Sequence, residues 1–215
     1  ESKNVSGQLF ASMTHQKVLK ALRQADYLSP KYHVVIANPP YMGGKGMNVR
    51  LKNLMAENYF NYKSDLFSAF VVRIIELAKK TAYLGMMTPF NWMFLSAFEN
   101  LRNYIMSACS INSLVRPEFH AFFDSAFVSI CGFVLHASPD LFVRTPYIDL
   151  QRFYGADLQS TKLLEAIRNP GCGWVYYSSI SEFRKIPGTP IVYWLSPILR
   201  NVFIGGNLAS KYQVG

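Results

Sequence analysis

Apolar positions along this chain alternate between a helical period and short continuous runs. Val18, Leu19, Leu22 and Ala25 recur at helical spacing, which predicts an amphipathic helix over 12–27. Val34 to Ala37 form an uninterrupted apolar run, read as a short buried strand at 32–37. Over 64–80 a second helix places Leu66, Phe70, Ile74 and Leu77 on one face, with Ser64 in the N-cap position. A strand at 82–88, a helix near 96–108 and a strand at 111–116 continue the alternation. Residues 127–136, "FVSICGFVLH", form another apolar strand. Strands alternating with helices predict an α/β sheet with helices on both faces.

Two stretches break the rhythm. Residues 81–98, "TAYLGMMTPFNWMFLSAF", carry no charge and could be mistaken for a membrane span. Gly85, Thr88, Pro89, Asn91 and Ser96 interrupt them, so a buried strand, a turn and a helix start are the better reading. From Met42 to Lys63 the chain carries Gly43, Gly44, Gly46, Asn48, Asn53, Asn58 and Asn61, which predicts a long functional or mobile loop. Beyond Pro139 the prolines at 146, 170, 187, 190 and 197 punctuate short elements, including a helix at 157–168. A boundary near 140 is expected, separating 1–139 from a linker and the start of a following domain at 140–215.

Composition narrows the partners. The 215 residues carry a formal net charge of +9, which favours a polyanion but fits a membrane surface too. With 50% hydrophobic and 15% aromatic residues, disorder is excluded as the chain's general state. Cys109, Cys131 and Cys172 are widely spaced with no CxxC pair, so reduced thiols in a cytoplasmic protein are expected, and no metal. No signal peptide opens the chain. It begins at Glu1, which suggests a piece of something longer. Gly43-Gly44-Lys45-Gly46 lacks the spacing of a Walker loop, and no hydrolase elbow accompanies the scattered histidines.

The chemistry concentrates in Asn38-Pro39-Pro40-Tyr41, directly after the strand at 32–37. Ligands of open α/β sheets bind beyond the carboxyl ends of the strands. Pro39 keeps Asn38 out of helical geometry, and the two prolines fix the chain direction. The result is a rigid pair of acceptors, the Asn38 amide oxygen and the Pro39 carbonyl, with an aromatic ring beside them. Such a pair can take both hydrogens of an exocyclic –NH2 while Tyr41 stacks on the ring that carries it. Acceptors so placed favour a pyramidal nitrogen whose lone pair is aimed at an electrophile.

This motif after an apolar strand resembles that of the S-adenosylmethionine-dependent amino-methyltransferases acting on adenine in DNA. The resemblance extends to Asp65-Leu66, where an acidic residue helps hold the cofactor, and to "GMMTPFNWM". It also includes "FFDSAFVSICGFVLH", in whose counterpart a loop aromatic, here Phe122 or Phe123, packs on the flipped base. The stretch after the motif and "IPGTPIVYWLS" at 186–196 look most like the large adenine methyltransferases of bacteriophage-exclusion (BREX) systems and related fused restriction-modification enzymes.

The resemblance implies a partial doubly wound, Rossmann-like sheet, with 1–139 as the catalytic half of the domain. It implies catalytic Asn38, Pro39, Pro40 and Tyr41, and S-adenosylmethionine held in part by Asp65. The substrate would be double-stranded DNA with a flipped adenine. Lys45, Arg50 and Lys52 are positioned to touch phosphates. The family's glycine-rich cofactor loop is not matched in residues 1–37, where Gly7 is the only glycine. The isolated chain is therefore expected to be inactive and prone to self-associate through the edge of the strand at 32–37. Other defence-system subunits are expected as partners. The rival readings are a non-catalytic nucleic-acid-binding or assembly module, and a transferase acting on RNA or on a protein glutamine.

Overall fold

A computed structural model of the chain describes residues 2–119 and 129–203. The elements run α1 (Ser2–Leu28), β1 (Tyr32–Ala37), α2 (Val49–Asn58), α3 (Leu66–Glu76), β2 (Ala78–Pro89), α4 (Glu99–Ala108), β3 (Ser110–Arg116) and β4 (Ile130–His136). After these come β5 (Thr145–Asp149), α5 (Ala156–Arg168), β6 (Val175–Ser178), and the short α6 (Ile180–Phe183) and α7 (Pro197–Asn201). One six-stranded sheet has the order β1-β2-β4-β3-β5-β6. β1 and β2 are parallel, β4 is antiparallel to both its neighbours, β3 and β5 are parallel, and β6 is antiparallel to β5. The carboxyl ends of β1, β2, β3 and β5 therefore share one edge of the sheet.

Side-chain alternation divides the sheet into two faces. Leu84, Met86, Cys131, Phe133, Leu135, Ile111, Leu114 and Tyr147 point to the main core, which α3 and α4 cover. Ile148 and Leu150 point the other way, into a smaller cluster with Ala166 of α5 and Trp174. Helices thus lie on both faces, as the alternating pattern predicts. β5 and β6, beyond the boundary expected near residue 140, are hydrogen-bonded into this same sheet.

Three local expectations are corrected. The segment 42–63 contains α2, because the Asn48 side chain accepts from the Leu51 N–H at 2.9 Å and Met55 buries against Met47 and Ala69. The N-cap of α3 is Asp65, and the helix buries Phe67, Val71 and Ile74 rather than Phe70, which stays 38% exposed. The helix also ends at Glu76, so residues 78–80, expected within it, open β2.

A buried arginine ties the turns beyond β2 to the last part of the chain. Arg102 Nη1 donates to the carbonyls of Trp92 (2.8 Å) and Leu95 (2.7 Å). Its Nε and Nη2 both donate to the Gly188 carbonyl, at 3.1 and 2.6 Å. Gly188 has φ +75°, a conformation that a side chain would strain.

Candidate active site

β1 delivers Asn38 to the carboxyl edge of the sheet, and Pro39 buries while Asn38 stays exposed. Tyr41 is half-buried against the main core. Its hydroxyl donates to Asn38 Oδ1 at 3.2 Å. A carbonyl oxygen carries two lone pairs, so Tyr41 occupies one and sets the amide plane while the other remains for a substrate N–H. Burial, and secondarily the nearby Cys131 thiol, push the Tyr41 hydroxyl above its usual pKa, so it stays protonated at working pH.

Asp65 is stitched to this motif. Its Oδ1 accepts from the Met42 N–H at 3.0 Å and from the Phe67 N–H at 3.2 Å, so one oxygen both anchors the residue after Tyr41 and caps α3. The Leu66 N–H returns a bond to the Met42 carbonyl at 3.0 Å. Gly43 lies beside Oδ2, since a Cβ there would stand 3.8 Å from it, at ordinary contact distance. Sequence spacing alone does not reveal this coupling, because Asp65 and Met42 are 23 residues apart.

An open groove of about 410 Å³ runs from Asn38 across the sheet past Gly85 and Gly132 to Val115. Lys45 lies in a turn closed by the Gly46 N–H to Gly43 carbonyl bond of 2.9 Å, and Arg50 and Lys52 lie on α2, all three exposed. Phe122 and Phe123 lie outside the described residues. The structure therefore brings Asn38, Tyr41 and Asp65 into one hydrogen-bonded unit, with the three cations on the excursion between Tyr41 and Asp65.

The sequence reading missed a second group on the same edge. Arg116 ends β3 with its guanidinium carbon 4.0 Å from the Phe90 ring centre and 5.6 Å from that of Trp194. A cation immediately after a buried apolar run was the available signal.

The fold is that of the class I methyltransferases. A type I restriction-modification system methyltransferase subunit from Streptococcus thermophilus aligns over 72% of this chain and 36% of its own, with a TM-score of 0.55 at 16% identity. The chain belongs to the Eco57I restriction-modification methylase family, whose sequence profile matches residues 6–123. Similar curated proteins include the adenine-specific methyltransferase PglX of Lacticaseibacillus casei, 34% identical over 91% of this chain. The adenine-specific methyltransferase BrxX of Escherichia coli is 28% identical over 93%. The chain spans 17% and 16% of those two proteins. Among the described residues no helix is long and apolar enough to cross a membrane.

Proposed function

We propose that this chain holds the reacting amino group in an N6-adenine DNA methyltransferase of a restriction-modification or phage-exclusion system. The observation that carries the reading is the Asn38 amide oxygen, fixed by the Tyr41 hydroxyl at the carboxyl end of β1. Asn38 Oδ1 and the Pro39 carbonyl accept the two hydrogens of the adenine amino group. Hydrogen bonds from both N–H groups to these acceptors favour a pyramidal nitrogen with its lone pair aimed along one direction. No general base need then act before the N–C bond forms, and the surplus proton leaves the nitrogen for water after transfer. The Tyr41 ring supplies a stacking surface for the extruded base.

S-adenosylmethionine, when bound, supplies an electrophilic methyl group. The residues present suit it: among the described residues Asp65 bonds Met42 and Phe67 through Oδ1 alone, which leaves Oδ2 as an acceptor for the cofactor's hydroxyl or ammonium donors. Asp65 offers only one side of such a pocket, and residues 1–37 do not match the family's glycine loop. Weak or absent cofactor binding by this chain alone is the outcome expected in calorimetry. Lys45, Arg50 and Lys52 would meet DNA phosphates from the excursion that follows Tyr41.

The test is Asn38→Ala in the natural full-length protein carrying this sequence, assayed on DNA with labelled S-adenosylmethionine. Methyl transfer should fall by at least about 100-fold, as expected when a preorganised transition-state contact is removed, with cofactor binding retained. Near-normal adenine methylation would refute the reading. Labelling of RNA or of a protein glutamine, with DNA untouched, would redirect it.

A further inference from the structure

The cluster at the carboxyl ends of β2 and β3 takes no part in the amide chemistry. Phe90 follows Pro89 at the end of β2, and Arg116 closes β3. Trp194 arrives on the segment that is fastened to the turn beyond β2 by the Ile191 N–H to Met93 carbonyl bond of 2.7 Å. Trp194 packs edge-on against Tyr193, with ring centres 4.9 Å apart. Both rings beside Arg116 reach the surface: Phe90 is half-buried and Trp194 is 38% exposed.

Asp149 stands opposite Arg116 in the β3–β5 register. Its carboxylate is already engaged, with Oδ2 accepting from the Tyr193 hydroxyl at 3.0 Å and Oδ1 from the Gln151 N–H at 3.1 Å. Among the described residues Arg116 forms no ion pair within 4.0 Å. Among the described residues its buried Nε has no hydrogen-bond partner. Such a donor is costly to leave unmade. Val115, the residue before Arg116, lines the same groove as Asn38, so the cluster is a neighbour of the proposed base site.

With the Phe90 and Trp194 rings beside it, the guanidinium directs its hydrogen bonds in its own plane, along its N–H edge, where the Tyr193 hydroxyl is also within reach. The group that matches this edge is a negatively charged set of oxygens able to accept two parallel bonds. The net charge of +9 favours a polyanion. We propose that Arg116 binds a phosphate of the target DNA strand beside the extruded adenine, with Phe90 and Trp194 holding its plane. The inference rests on the adenine-methyltransferase reading and names a positioning residue for it.

The experiment uses the natural full-length protein and duplexes that carry the methylation site in several flanking sequences. Arg116→Gln should weaken DNA binding about five- to tenfold, equally across those flanks, and lower the slope of log K against log salt by about 1. Ethylation of phosphates next to the target adenine should weaken the wild type and leave Arg116→Gln unaffected. Arg116→Lys, which keeps charge but not the planar fork, should recover part of the affinity. An unchanged slope and ethylation map would overturn the proposal. So would a loss confined to one flanking sequence, which would make Arg116 a reader of a base edge. If Arg116→Gln fails to fold, the ethylation map of Arg116→Lys decides, attenuated at one phosphate or unchanged. These readouts are of DNA binding, whereas the parent reading fails on methyl transfer by Asn38→Ala, so the two failures are distinguishable.

Discussion

The proposed site gives Tyr41 two roles that one substitution can separate. Tyr41→Phe keeps the ring and removes the hydroxyl that orients Asn38. The bond is 3.2 Å long, beyond the usual range for O–H···O. It therefore belongs in the lower part of the net range for neutral hydrogen bonds, about 0.5–1 kcal/mol. If all of that is felt in the transition state, the chemical step slows roughly two- to fivefold. Base stacking, worth about 1–3 kcal/mol, survives in the Phe variant and is lost in Tyr41→Ala. The Ala variant loses both, so it should slow by roughly tenfold to several hundredfold. Single-turnover methyl transfer measures the chemistry, and fluorescence of 2-aminopurine at the target position measures extrusion. Tyr41→Phe should extrude the base normally and transfer slowly; Tyr41→Ala should fail in both. A Phe variant as fast as wild type would show that the hydroxyl does not orient Asn38. A Phe variant as slow as Ala would show that the ring does not stack.

Three further outcomes follow from the packing. Arg102→Met leaves the carbonyls of Trp92, Leu95 and Gly188 without their donor, which should cost roughly 3 kcal/mol and lower Tm by about 6–12 °C in a melting experiment. Asp65→Ala removes a helix cap and the tether on Met42, so chemical denaturation should report a loss of about 1–3 kcal/mol, with faster proteolysis within 42–48. Burial pushes the Cys109 and Cys131 thiols up to about 12, above the ordinary 9. The folded state then holds protons that the unfolded state releases, so this contribution to stability is full below pH 9 and is lost as pH rises towards 12. Alkylation at pH 8 should accordingly modify the half-buried Cys172 and spare Cys109 and Cys131 until denaturant is added.

The parts legible in the sequence were those fixed by local pattern. Apolar runs located β1, the central part of β2, and β3, and the proline pair located the edge at which Asn38 emerges. The helix at 157–168 was readable from its own periodicity. α2 was not, because its asparagines read as loop formers, whereas Asn48 caps the helix and Met55 finds partners in Met47 before the helix and Ala69 of α3. β5 is short and contains Pro146, a residue that normally argues against a strand inside a sheet. It is held nonetheless between β3 and β6, with Pro146 opposite Tyr177. Pairings between distant segments supply that stability, and a local pattern carries no record of them. Arg116 was missed for the same reason: its aromatic neighbours come from the turn just after β2 and from the final third of the chain.

The bonds around Asp65 explain how a long excursion can follow Tyr41 without loosening it. Met42 is held on both its N–H and its carbonyl, by Asp65 Oδ1 and the Leu66 N–H. The excursion from Gly43 to Ser64 therefore begins and ends at one clamped point. That point is rigid because α3 buries Phe67, Val71 and Ile74 in the main core immediately behind it. Tyr41 sits on the core side of the clamp, packed against the same cluster. Movement of α2, with the exposed Arg50 and Lys52, would then reach Asn38 only if the bonds to Met42 broke first. If the site holds an amide plane while DNA enters and leaves, as proposed, it needs this separation, because a misplacement of about 1 Å can cost roughly 100-fold in rate.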